Sequence, residues 1–256
     1  MVCKKIFHFI IFYILIFGNF GCVTLYNPAT EKNEIIFIDT ATEKSIGEAA
    51  AKDIPKRYKI LHDYQLESRI NNIGKRIGRV SDRQDIEYKF IILDSEELNA
   101  FTLPGGFIYI NKGLIAALNE DEIAYVLAHE VGHLCARHIV KKLQANMAYQ
   151  LILAISLSAL NRSKIEPTTI KEGIDAIYNL VELKYSRSDE YEADRLAAKY
   201  TYKAGYNPYA SISCLKKLQK SQKNNLKLLR YFRTHPYVDE RIEVLMKFIP
   251  KIVENK

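Results

Sequence analysis

Asn119-Glu120-Asp121-Glu122 leads through an apolar run into His129-Glu130-Val131-Gly132-His133. Asparagine is a favoured helix N-cap, and a glutamate three residues later completes a capping box. Glu120 and Asp121 add negative charge at the positive end of the helix dipole. The stretch therefore reads as a helix from Glu120 to about Leu143. On that helix His129 and His133 are i and i+4, on one face and about 6 Å apart. Two imidazoles so spaced can share one Zn²⁺ at about 2.0–2.1 Å each. Glu130 projects beside them, placed to take a proton from metal-bound water and pass it to a leaving amine. His138 and Cys135, further along the same unbroken helix, are expected to point away from the metal face.

A catalytic zinc keeps three protein ligands and one open position. Glu190-Tyr191-Glu192-Ala193-Asp194 offers the missing carboxylate from a later helix, expected over about Ser188 to Lys203 with Ser188 as its cap. Glu190 and Asp194 are again i and i+4, so one of them can bind metal while the other orients a ligand histidine. The plainer reading of this stretch is an acidic helix start that complements the dipole.

Taken together, the motifs resemble a known family. Asn99-Ala100-Phe101-Thr102-Leu103-Pro104-Gly105-Gly106, Gly113-Leu114, the histidine helix, Ser186 to Asp194, and Thr234-His235-Pro236 follow one another in its order. The chain looks like the zinc metallopeptidases that include HtpX, BepA-type periplasmic proteases and CaaX prenyl endopeptidases, nearest to short stand-alone lipoprotein members. The resemblance implies an α+β, zincin-like domain, mostly helical with a small sheet. It implies one Zn²⁺ held by His129, His133 and Glu190, with Glu130 as the base and Asp194 as the carboxylate behind a ligand histidine. It also implies an approach of His235 to the metal, as a latch or as a transition-state donor. Arg241 falls where relatives carry an arginine near the site, either stabilising the oxyanion or pairing with Glu190 or Asp194. The implied activity is an endopeptidase acting on unfolded or misassembled envelope proteins. The alternative is a latent, chaperone-like factor that binds clients and rarely cuts them.

Outward from this centre, alternating Ile86, Tyr88, Phe90 and Ile92 suggest one strand, and Phe107, Ile108, Tyr109 and Ile110 a second that pairs with it. The second strand is expected to offer a free edge to an extended substrate. Leu61 to Val80 reads as an amphipathic helix, as do Ile174 to Leu183 and Ile212 to Leu229. Ile35 to Thr40 reads as a short strand after a turn at Asn27-Pro28-Ala29-Thr30. Met147 to Leu160 is apolar but short for a membrane span, so it reads as a buried or lid-forming helix.

At the N-terminus, Lys4 and Lys5 precede an apolar run from Ile6 to Phe17, and Gly21-Cys22 follows. This reads as an export signal over residues 1–21 with Cys22 lipidated, an N-terminal linker or extension over 22–55 and the catalytic domain over 56–256. The expected location is the periplasmic side of a bacterial membrane. The chain has 256 residues, 48% hydrophobic and 26% charged, which excludes disordered and fibrous classes. The net charge of +7 shows no arginine-rich run and reads as a solvated surface rather than a nucleic-acid site. Cys135 and Cys214 sit in apolar contexts and read as buried free thiols.

Overall fold

The fold is organised around one buried helix. In the computed structural model, which describes residues 24–147, 170–224 and 229–254, that helix is α4 (Glu120–Cys135). Its start is as the sequence dictates: the Asn119 side chain accepts from the Glu122 N–H, and the Glu122 carboxylate accepts from the Asn119 N–H. Every residue from Glu122 to Cys135 is buried. A helix covered on all sides needs partners all round. These are α2 (Tyr64–Val80), α7 (Arg187–Lys203), α8 (Ala210–Asn224) and the sheet. Gly132 lets α7 come close, since a Cβ there would lie 2.9 Å from the Ala193 carbonyl oxygen.

α4 does not run to Leu143. It ends at Cys135, and Arg137 takes a left-handed φ of 55° before residues 138–147 resume as helix α5. The Ala136 N–H bonds to Gly132 O at 2.9 Å and the Arg137 N–H to Leu134 O at 3.1 Å. A left-handed non-glycine residue costs about 1–2 kcal/mol. Long-range contacts offset it: the Arg137 guanidinium donates to Thr40 Oγ1 at 2.9 Å and sits 3.3 Å from the Glu43 carboxylate.

Three strands form the main sheet: β3 (Lys89–Leu93), β4 (Ala100–Leu103) and β5 (Phe107–Asn111). Their order is β3-β5-β4, with β5 parallel to β3 and antiparallel to β4. The Phe107 to Ile110 strand is therefore central, and the expected free edge does not exist there because both of its edges are already paired. Pro104-Gly105-Gly106 makes the tight turn from β4 to β5, with φ of 76° and 101° at the glycines. Alternation along β5 separates two cores. Ile108 and Ile110 join α2, α4, α7 and α8 on one side, while Tyr109 joins Phe101, Leu103 and helices α1 (Thr40–Arg57) and α6 (Ile170–Glu182) on the other.

Residues 24–55 are not a strung-out connector. β1 (Thr24–Asn27) and β2 (Lys32–Ile35) form an antiparallel hairpin through the expected turn, so the strand lies before, not within, most of Ile35 to Thr40. Asn27 Nδ2 ties this hairpin to Cys135 O at 3.2 Å. α1 is capped by Asp39, buries Ala50 and Ile54, and sends Glu43 inward to Arg83 at 3.0 Å. Cys135 and Cys214 are buried and unbridged. No helix among the described residues is long and apolar enough to cross a membrane. The signal segment, Cys22 and all of Met147 to Leu160 beyond its first residue lie outside the described residues.

Candidate metal centre

Where α4 crosses α7, four donor side chains converge. His129 and His133 come from α4, Glu190 from the first turn of α7, and His235 from the segment after α9 (Leu229–Thr234). The cap of α7 is Ser186, not Ser188: its Oγ accepts from the Asp189 N–H at 3.2 Å, and Asp189 Oδ2 accepts from the Ser186 N–H at 3.0 Å. Setting the cap two residues earlier places Glu190 one turn inside, facing α4. The donor atoms of His129, His133, Glu190 and His235 all lie within 4.8 Å of one another.

The spacing tests whether a metal fits. His129 Nε2 and His133 Nε2 are 3.0 Å apart, and each is 3.5 Å from a Glu190 oxygen. Donors at about 2.0–2.1 Å around a tetrahedral ion are separated by about 3.3 Å. His235 Nδ1 lies 3.3 Å from His129 Nε2 and 3.1 Å from Glu190 Oε1, so it sits at the fourth corner. Glu130 stands beside the cluster with neither carboxylate oxygen hydrogen-bonded, although it is only 1% exposed. His235 Nε2 is 3.5 Å from Glu130 Oε1. A buried carboxylate that accepts no hydrogen bond, next to two histidines and a second carboxylate, is costly unless a cation or substrate completes it. The residues present fit a divalent metal.

Residues 64–249 match the family model described as peptidase family M48. The chain belongs to that family. It is 26% identical over 231 residues to the mitochondrial metalloendopeptidase OMA1 of Schizosaccharomyces pombe, covering 88% of this chain and 66% of that protein. It is 22% identical over 207 residues to the beta-barrel assembly-enhancing protease of Escherichia coli K12, covering 78% of this chain and 42% of that protein. The chain thus spans less than two thirds of the length of these relatives. The crystal structure of S. mikatae Ste24p matches with a TM-score of 0.46 at 21% identity, covering 95% of this chain and 65% of that one.

In this M48 chain the groups behind the candidate donors are held by hydrogen bonds and ion pairs of their own. Asp194 Oδ1 lies 2.9 Å from His129 Nδ1. A proton on Nδ1 donated to Asp194 leaves the Nε2 lone pair facing the cluster. Tyr125 Oη donates to the same oxygen at 2.7 Å. Arg241, from α10 (Val238–Glu254), grips Asp194 with Nε at 2.7 Å and Nη2 at 2.8 Å, and its Nη1 is 2.8 Å from Glu190 Oε2. Of the two expectations for Arg241, pairing with Glu190 and Asp194 is the one the structure shows: its guanidinium is committed to both carboxylates and positions them.

The electrostatics follow from that packing. Burial pushes the Glu190 carboxyl up, but Arg241 and His235 outweigh it and hold the pKa well below the usual range. Burial drives His133 well below an ordinary histidine, so it is neutral and ready to bind metal. Burial raises the Glu130 carboxyl in spite of His235 and His129 nearby.

Two site residues escaped the sequence. His138 was expected to face away, yet its Nδ1 lies 2.8 Å from His133 Nδ1, because the break at Arg137 turns α5 back toward the site. Tyr185 stacks on the His133 ring with centroids 3.8 Å apart, and Lys142 Nζ lies 3.4 Å from the Tyr185 ring centre. Its proximity to Ser186 was the only hint, and nothing in its spacing marked it.

Proposed function

We propose that this chain is a zinc-dependent endopeptidase of the bacterial cell envelope, with His129, His133 and Glu190 holding the metal and Glu130 as general base. The observation that carries the reading is the convergence of the four donors within 4.8 Å of one another beside a buried Glu130 that accepts no hydrogen bond. A divalent metal bound there supplies Lewis acidity, polarising a peptide carbonyl and acidifying water. The chain's own residues do the rest. Glu130 accepts a proton at its carboxylate and passes it to the leaving amine. Asp194 holds His129 in the binding tautomer, and Arg241 holds Asp194 and Glu190. An extended substrate that adds to the sheet would do so at an outer strand, β3 or β4, since β5 is paired on both sides.

The similarity to a beta-barrel assembly-enhancing protease supports unfolded or misassembled envelope proteins as substrates, and the Lys4-Lys5, apolar run and Cys22 pattern supports a lipid-anchored, periplasm-facing enzyme. Glu130→Gln is expected to abolish cleavage of a denatured protein while leaving zinc bound, since the ligands are untouched. Retained cleavage overturns the role of Glu130.

The closed form of the site favours a second reading. None of His129, Glu130, His133, Glu190 and His235 is more than 1% exposed, and His235 occupies the fourth corner that a catalytic zinc leaves open. In this form the enzyme is latent and acts as a client-binding factor. His235→Ala then raises cleavage under the latch reading and lowers it if His235 is a transition-state donor.

A further inference from the structure

We infer that His138 is a positioning residue for the metal ligand His133, and that Glu192 anchors His138 in turn. The inference rests on the reading of His133 as a ligand.

The argument follows the protons. To bind metal through Nε2, neutral His133 must carry its proton on Nδ1. The group facing that nitrogen must then accept. His138 Nδ1 faces it at 2.8 Å, and among the described residues no other acceptor bonds to it. An accepting Nδ1 requires His138 to carry its own proton on Nε2. That nitrogen faces Glu192 Oε2 at 3.2 Å and Asp189 Oδ1 at 3.6 Å, both of which only accept when ionised. The protonation states along the chain are therefore forced in one direction, from the metal face outward: His133 Nδ1–H to His138 Nδ1, then His138 Nε2–H to Glu192.

The surroundings fix these groups in place. His138 is 2% exposed and its ring lies 5.0 Å from that of His133, at 69°. Tyr185 closes the other face of His133 by stacking. Glu192 lies two residues past Glu190, so α7 supplies both a ligand to the metal and the anchor for the opposite ligand's partner. The two ligand histidines are thus oriented by unlike devices. His129 is held directly by Asp194. His133 is held by an imidazole that is itself held by a carboxylate.

Competition against a chromophoric chelator measures Zn²⁺ affinity without any turnover. His138→Ala is expected to weaken Zn²⁺ binding by about ten- to a hundredfold, as loss of such partners does elsewhere. His138→Asn, whose Oδ1 can stand where Nδ1 stood and accept from His133, is expected to recover most of that loss. An alanine variant that binds like the wild type overturns the inference. So does an asparagine variant as weak as the alanine one, because the effect would then be packing and not the hydrogen bond. If His138→Ala does not fold, the partly exposed Glu192→Ala decides, with a severalfold loss expected and an unchanged affinity overturning the role. A wild type that binds no Zn²⁺ overturns the metal reading itself, and this inference with it.

Discussion

Arg241 is among the largest wholly buried side chains of the described residues, and it carries a full charge. Such a charge is tolerable only while Asp194 and Glu190 face it. Arg241→Ala leaves two buried carboxylates uncompensated. It is expected to lower stability by about 3–5 kcal/mol, read from urea unfolding. Arg241→Lys is expected to restore little, because an ammonium cannot make the forked contact to Asp194 and reach Glu190 together. Lys142 shows the opposite balance. Burial lowers its pKa to about 8, and Asp189 and Glu190 only partly oppose this. Between about pH 8 and 10 the unfolded chain binds this proton while the folded chain does not, so its contribution to stability improves as pH rises. The slope is at most about 1.4 kcal/mol per pH unit. Lys142→Met removes that slope. Unfolding curves of both proteins at pH 8 and pH 9.5 are expected to converge at the higher pH, and parallel curves would show that Lys142 is not desolvated.

Between α4 and α5 a single residue redirects the chain. Arg137 breaks the helix in a conformation that favours glycine, held by Thr40, Ile38 and Glu43. Arg137→Gly and Arg137→Ala lose these contacts equally, yet glycine adopts the left-handed turn freely. The glycine variant is expected to be more stable than the alanine variant by about 1 kcal/mol, the reverse of their order in a helix interior. The opposite order in thermal unfolding would mean the break is not imposed at this residue. The same element shows what a sequence can and cannot reveal. Asn119, Glu122, His129 and His133 were legible because capping and i, i+4 spacing are local. Glu190 and Asp194 were legible as a pair for the same reason. The turn at Arg137 was not, since its cause lies near residue 40, and with it went the position of His138. The central place of β5 was hidden for a like reason. Phe107 to Ile110 carries the pattern of a buried strand, but nothing in it says that β4 and β3 take both edges.

At the scale of the molecule, the first described helix belongs to the structure that holds the site. Glu43 on α1 faces Arg83 and Arg137 and accepts from the Gly105 N–H at 3.3 Å. Ile38, Ala50 and Ile54 fill the core behind Tyr109. A chain that starts at Lys59 is therefore expected not to fold, because it exposes this core and strands two buried arginines. Loss of near-ultraviolet circular dichroism would report it, and a folded, metal-binding product would show that residues 24–57 are an accessory. Placement of the donors depends on this whole scaffold, which is why their mutual distances could not be read from spacing along the chain. The depth of the site has a kinetic consequence. Every side chain that would grip the metal is sealed from solvent. An ion enters or leaves only when the scaffold breathes, so the residence time of the metal is a clock for the rarest openings of the fold, and affinity alone does not set it.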